Sequence, residues 1–536
     1  MMTWDGPSTS RRQLLKGAAA AVGLVATGTG LSACGTSSSS GALTSSGSSA
    51  PKRGGVLRVG VTDGGPTDNI DAGMFVTNVD GLRLYQLYNS LYAFDKNAIP
   101  QLSLAEEVTP NADATEWTIR LRQGVTFHDG KILGAEDVVY TFQRILDPKR
   151  PLLGANFIQT MDIANAKVLD PLTVRIPFHS PMGYFPECQA TYFFFIVPVG
   201  YAAPGTINPK HPIGTGPFKF ESFTPGVESV FTRNDNYWQD DGQPFVDRLV
   251  ITDFADESSQ LNGLEGNSLD LVDALSGSSI PIVKSAGGKV LVENGEAYAP
   301  FTMRVDQAPF NDVRVRQAMR LIIDRTQMLK LLFSGAGLVG NDLYCIFDPT
   351  YDHALPQREA DPAQAKFLLK QAGQENLTVT LVTSDIGAGS VNAAQIFAQQ
   401  AKAAGVTIKL TQVTPDVLYG PQYLKWTFAQ DDWNYNPYVL NAQNACLPGG
   451  EFNECHVDYP PYTQLWHELA ATLDPSRQAE ITHEMQTMEY EGLASGFAIP
   501  YFIPSIDGMS ANVQGLTASK TGNPLGGFDL QSVWLD

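Results

Sequence analysis

Residues His211–Trp238 read HPIGTGPFKFESFTPGVESVFTRNDNYW. Gly214, Gly216 and Pro217 permit a tight turn and a close backbone approach that larger residues would block. Phe218 and Phe220 open an alternating run, Pro225-Gly226 reverses the chain, and Val230 to Arg233 alternate again until Asn234-Asp235-Asn236 breaks the pattern. Tyr237-Trp238 then offers a large apolar anchor. The stretch is a β-hairpin that packs; it identifies an architecture and not a site.

Upstream, Val56–Val61 is the first strand, and Leu84, Leu87, Tyr88 and Leu91 share one face of a helix ending near Tyr92. Trp117–Arg122 alternates as a strand, and Gln123-Gly124 turns it toward Val125–Lys131. A helix starts after Gly134, with Glu136 and Asp137 in its first turn and Val138, Phe142 and Ile145 on one face, until Asp147-Pro148 stops it. His128-Asp129 is a turn rather than a catalytic pair, since Asp-Gly is a turn dipeptide and no nucleophile is tied to it. Val168–Ile176 is a further hairpin, and Tyr192–Val199 an apolar run for burial.

Downstream, Phe245–Ile251 is a strand, and Val290–Val292 and Phe301–Met303 carry the chain toward a second lobe. Asp312 caps a helix through Val315, Ala318, Met319, Ile322 and Ile323 that stops before Gly335, with Arg314, Arg316, Arg320 and Arg325 on its polar face. Asp361-Pro362 starts another helix that Gly373 closes. Leu377–Val382 and Val406–Leu410 bracket a helix over 393–404, the strand, helix, strand order of a parallel α/β lobe. Ala479–Leu493 is a last amphipathic helix, and Ala498–Pro504 returns the chain to the first lobe.

The hairpin, the GVTFHDG stretch (Gly124–Gly130) followed by AEDVVYTF (Ala135–Phe142), VRVRQAMRLIIDR (Val313–Arg325) and DPAQAKFLLKQAG (Asp361–Gly373) together resemble the family 5 extracellular solute-binding proteins, the lipoprotein receptors of peptide-type ABC importers. The resemblance runs from about Gly54 to the C-terminus. It implies an α/β, two-lobed periplasmic-binding-protein-like fold of type II with an extra accessory domain. The expected division is core lobe I over 54–97, 211–298 and 499–536, the accessory domain over 98–210, and lobe II over 299–498. Two crossings between lobes, near 299–304 and 496–501, make a natural hinge.

The same resemblance implies a solute captured between the lobes, peptides first and nickel chelates or sugars as variations, and delivery to ABC permease subunits in the membrane. A monomer is expected, with no cofactor and no enzymatic activity. A lipid-anchored sensor of the same fold without import, and an exported hydrolase, are the alternatives. The ligand motif of the family falls on Phe428–Pro437, FAQDDWNYNP. Peptide-binding members carry there an aspartate that receives the ligand's amino terminus; here Trp433 stands four residues before Pro437, and Asp431 and Asp432 precede it. Trp433 is expected to stack on the solute and Asp432 to meet an amine, with Asp431, Asn434 and Asn436 beside them.

The N-terminus carries an export signal. Ser10–Lys16 holds paired Arg11 and Arg12 ahead of the apolar stretch 17–31, which is too short and weak to span a membrane and resembles the twin-arginine signal. Leu31-Ser32-Ala33-Cys34 resembles the lipobox, in which Cys34 becomes the lipidated first residue. Residues 1–33 are therefore expected to leave as a signal peptide, and the lipid to hold the protein at the outer face of the cytoplasmic membrane. Residues 34–53 form a Ser/Gly-rich tether that can bury nothing.

The 536 residues are 43% hydrophobic and 10% aromatic, a globular composition long enough for several domain-sized cores. Thirty-six basic against 56 acidic residues give −20, and cleavage after Ala33 removes three positive charges and one negative. No basic stripe for nucleic acid is present. Gly335–Gly340 fits a dinucleotide glycine pattern but follows a helix where that pattern follows a strand. The sequence holds no second histidine to complete a zinc motif at His483-Glu484, no nucleophile elbow and no Walker loop. Besides Cys34, Cys188 and Cys345 read as buried thiols, whereas Cys446 and Cys455 flank Pro448-Gly449-Gly450 and are expected to close a disulfide loop. A metal site at Cys446, Cys455 and His456 is the alternative there, and no metal centre is expected.

Overall fold

The computed structural model describes residues 50–208, 210–239, 243–387 and 389–536. The expected signal peptide and most of the expected tether, with Arg11, Arg12 and Cys34, lie outside the described residues.

Strand β1 (Val56–Val61) buries Leu57, Val59 and Val61 completely at the centre of the largest sheet. Thr77 caps α1 (Asn78–Leu87) by accepting from the Asp80 N–H. The periodicity through Leu91 overshoots: α1 stops at Leu87, whose carbonyl accepts from the Gly216 N–H at 2.9 Å. A Cβ at Gly214 or Gly216 would overlap the Leu87 backbone, which is why these positions are glycine. The chain then makes β2 (Tyr92–Phe94) and β3 (Pro100–Leu102).

The accessory domain follows. β4 (Ala105–Pro110) and β5 (Glu116–Leu121) precede α2 (Ala135–Ile145), and β6 (Lys167–Asp170) and β7 (Thr173–Pro177) precede α3 (Phe185–Gln189); the sheet order is β4-β5-β7-β6. The Asp137 carboxylate accepts from the Gly134 N–H at 3.0 Å, fixing the start of α2. His128 serves the hairpin: its Nδ1 accepts from Gly214 N–H at 3.3 Å and its Nε2 faces Gly216 O at 3.1 Å. Burial lowers its pKa to about 4.

β8 (Phe218–Thr224) and β9 (Glu228–Arg233) form the antiparallel hairpin read from the sequence. β10 (Arg248–Asp253) starts three residues later than expected and is followed by α4 (Glu257–Glu265), β11 (Leu271–Val272), α5 (Ile280–Ser285) and β12 (Lys289–Tyr298). β10 and β11 run parallel to β1 on either side.

After Ala299-Pro300 the chain enters the second sheet at β13 (Phe301–Met303). The expected single helix is two, α6 (Val313–Ile322) and α7 (Arg325–Phe333), because Asp324 takes an extended conformation and recaps the chain by accepting from Gln327 N–H. β14 (Leu338–Val339) leans back to pair with the first sheet. Then come α8 (Pro362–Gln371), β15 (Thr378–Ser384), α9 (Ser390–Ala401), β16 (Thr407–Val413), α10 (Pro415–Leu418), β17 (Phe428–Gln430), α11 (Tyr438–Cys446), α12 (Pro460–Ala471), α13 (Pro475–Tyr490) and β18 (Phe497–Ala498). Ile499-Pro500 leads to β19 (Tyr501–Met509) in the first sheet, whose order is β12-β19-β11-β1-β10-β9-β8; the second is β16-β15-β17-β13-β18.

The arginines assigned to a polar face are a correction. Arg316, Arg320 and Arg325 are buried, and only Arg314 stays partly open. Arg320 donates to the carbonyls of Glu489, Ser495 and Phe497 at 2.8, 3.2 and 2.8 Å. Arg325 grips both oxygens of Asp342, which also accepts from Arg358 and from the Ile499 N–H at 3.1 Å. Arg320 is satisfied by a fork of carbonyls, and the terminal nitrogens of Arg325 by carbonyls and Asp342, while Arg325 Nε is buried without an acceptor. One buried cluster joins accessory residues such as Trp117 and Phe185 to Tyr438, Tyr462 and Trp466 of the second lobe; two more fill the sheets.

Candidate functional site

β15 stands between parallel β16 and β17; the chain leaves β15 for β16 on one side and then crosses back to β17 on the other. Such a switch point opens a crevice at the carboxyl ends of the strands. Asp431–Asn436 leaves the carboxyl end of β17 at this crevice. In the first sheet β1 stands between parallel β10 and β11, and the loop 62–77 leaves its carboxyl end.

The five expected site residues divide by exposure. Asp431 is buried and accepts from Tyr419 OH at 2.7 Å, Tyr423 OH at 2.8 Å and the Asp432 N–H at 2.8 Å. Asp432 is exposed and accepts from the same Tyr419 hydroxyl at 2.8 Å. Trp433 is 8% exposed; its backbone pairs with Tyr298, its Nε1–H donates to Glu454 Oε1 at 3.0 Å, and its ring packs against Phe452 and Phe497. Asn434 is half-buried, and its side chain makes no hydrogen bond among the described residues. Asn436 is buried, its carbonyl accepting from Cys345 Sγ at 3.0 Å and Asn441 Nδ2 at 3.2 Å. Between them Tyr435 reaches the first lobe, donating to Ala98 O at 3.1 Å and meeting Phe94 edge-on at 5.0 Å.

Acidity dominates the electrostatics. Burial raises Glu454 and Asp431 above the usual carboxylate range, and Asp431 beside it raises Glu454 further. Asp432 is pushed up to about 6, by burial first and by Asp431 second, with Asp63 of the first lobe adding to the repulsion. Asp63 is itself raised by burial, although one oxygen accepts from the Asn78 N–H at 2.9 Å. Both side chains are open to solvent and yet enclosed enough to lose hydration, the situation of groups on the walls of a cleft. Neither forms an ion pair among the described residues. Sequence reasoning missed Tyr419, Tyr423, Glu454 and Asp63: each stands alone in its segment, and only the fold gathers them.

The expected Cys446–Cys455 disulfide is not formed; Cys188, Cys345, Cys446 and Cys455 are all free, buried thiols. Cys446 ends α11 with its Sγ 3.8 Å from Tyr344 OH, whereas Cys455 packs against Gly496, so each thiol is engaged by different neighbours. Burial pushes both up. His456 turns away to Leu424 O at 2.7 Å. Among the described residues no three His, Cys, Asp or Glu side chains are placed to hold a metal ion, and no helix is long and apolar enough to cross a membrane.

Known proteins place this geometry. The di/tripeptide-binding protein 2 of Pseudomonas aeruginosa is 28% identical over 61% of this chain and 66% of its own length. The heme-binding protein A of Haemophilus influenzae is 28% identical over 54% of this chain, which spans under two thirds (57%) of that relative. The ABC transporter substrate-binding protein CtaP of Listeria monocytogenes shares the fold with a TM-score of 0.78 at 22% identity, covering 90% of this chain and all of that one. The profile described as bacterial extracellular solute-binding proteins, family 5 Middle, matches residues 100–451, and the chain belongs to that family.

Proposed function

We propose that this protein is the solute receptor of an ABC importer: a lipoprotein exported through its twin-arginine signal, held by a lipid on Cys34, that closes two lobes on a peptide-like solute and presents it to the membrane permease. It captures and releases without chemical change. Asp432 receives a positively charged group of the solute and Asn434 hydrogen-bonds to it, while Asp431, Trp433 and Asn436 hold the segment in place.

The observation that carries this reading is the pair of acids Asp432 from one lobe and Asp63 from the other: Asp63 adds to the repulsion that raises Asp432, and neither forms an ion pair among the described residues. An ammonium between them offsets both penalties. The di/tripeptide-binding protein of Pseudomonas aeruginosa is a relative whose name supplies that chemistry.

Native mass spectrometry of the purified protein, followed by calorimetry with di- and tripeptides, tests it. The expected result is a retained or titratable peptide whose affinity falls at least tenfold in Asp432→Asn. Failure of a broad peptide library to bind, with an uncharged solute retained instead, would reject the peptide assignment.

A further inference from the structure

A cavity of about 390 Å³, within the range of small-molecule sites, lies among α1, the β2–β3 hairpin and the chain's last turn. No residue between 301 and 498 lines it, so the first lobe and its accessory neighbour complete it without the second lobe. Its walls are rings: Tyr85 stands edge-on to Phe195 at 5.3 Å and tilted over Phe528 at 5.5 Å, with Tyr92 and Phe94 opposite. Leu525, Gly526, Gly527 and Phe528 are all left-handed, with φ of 55, 70, 77 and 65°. L residues avoid that conformation, and successive positions in it are costly. The turn is held because Leu525 N–H donates to Asp507 at 2.7 Å and Gly526 N–H to Glu293 at 2.9 Å. The consequence is that Phe528 is aimed at the cavity.

Three of the polar groups there are unspent. The Asn523 side chain, 7% exposed, makes no hydrogen bond, and the hydroxyls of Tyr85 and Tyr92 have no partner among the described residues. Lys96, also in the lining, is paired with Asp529 at 3.1 Å. Aromatic walls with a few polar groups open to the space are the make-up of a small-molecule site.

We infer that this cavity is a binding site for a small planar nitrogen heterocycle, whose ring lies against Tyr85 and Phe528 and whose N–H groups and ring nitrogens pair with the Asn523 amide and the hydroxyls of Tyr85 and Tyr92. The chemistry is that of a nucleobase-like ring, and the site is separate from the acids of the interlobe cleft.

Adenine is the probe, titrated into the full mature chain by calorimetry and by saturation-transfer NMR. Ala93 is exposed at the rim, so Ala93→Trp plugs the cavity without touching the core. Adenine is expected to bind, at least tenfold more weakly in Ala93→Trp and about threefold to tenfold more weakly in Asn523→Ala. Asp432→Asn is expected to leave adenine binding unchanged, which separates this site from the proposed solute cleft. No binding at millimolar adenine, equal binding in Ala93→Trp, or weakening by Asp432→Asn would each overturn the inference.

Discussion

The indole N–H of Trp433 donates to Oε1 of Glu454 across 3.0 Å, which puts a buried acid directly behind the segment proposed to line the solute cleft. The ring is thereby a wall component with little face left for a solute. Trp433→Ala should cost about 3–5 kcal/mol of stability, the usual range for emptying a buried aromatic site. Trp433→Phe keeps the packing and loses the donor, for about 1–3 kcal/mol. Denaturant unfolding of both variants checks this; an unaltered midpoint in Trp433→Ala would show that the indole is not structural.

The solute affinity should depend on pH through Asp432. Its carboxyl is raised to about 6 in the unliganded protein, so it ionises as pH climbs through that value. A cationic solute therefore binds more tightly from pH 5 to 7 and levels off above, and Asp432→Asn abolishes the slope. Calorimetry across that interval reads it; an affinity that falls with rising pH contradicts the charge pairing.

Stability should move the other way. Glu489 is buried, accepting at Oε1 from Tyr344 at 2.6 Å, Tyr438 at 3.0 Å and Tyr462 at 2.5 Å, and burial pushes its carboxyl from 4.5 up to about 7. A raised carboxyl binds more protons folded than unfolded, so its stabilisation is full below about 4.5 and is lost as pH rises through about 7. The amount is about 3 kcal/mol. Glu489→Gln keeps an acceptor for the tyrosines and should flatten the fall in melting temperature across that window. A wild-type slope in the variant would mean that other carboxyls carry it.

The crossing between lobes is clamped by the Gly340–Asp342 loop. Gly340 N–H donates to Pro500 O at 3.0 Å, a Cβ at Gly340 would overlap Ile499 O, and Asp342 accepts from Ile499 N–H. Gly340→Ala should displace the crossing and alter ligand-dependent closure, seen by small-angle scattering as a changed difference between free and solute-bound radii of gyration. Asp342→Ala strands Arg325 and Arg358 and should cost about 3–5 kcal/mol. Wild-type scattering in Gly340→Ala would place the pivot elsewhere.

Cys34→Ala should move the protein from the membrane fraction to the soluble one. Retention after a carbonate wash would remove the lipid anchor from the proposal.

The capped helix starts and the core hairpin were legible because their causes are local. Asp312 and Asp361 accept N–H groups two or three residues ahead, Gly373 takes the left-handed turn with φ 70°, and Pro225-Gly226 reverses β8 into β9. The family resemblance is likewise a property of order along the chain. What the tertiary structure decided depends on partners remote in sequence. α1 ends at Leu87 because the Gly216 N–H takes its carbonyl. Arg320 is a core residue because carbonyls from 489 to 497 surround it, although helical spacing alone puts it on a polar face. Cys446 and Cys455 are free thiols with different contacts, the Tyr344 hydroxyl for one and Gly496 for the other, which spacing does not encode. The cleft acids Asp63 and Asp432 belong to different sheets, and their mutual repulsion exists only once both sheets present their carboxyl ends to one crevice.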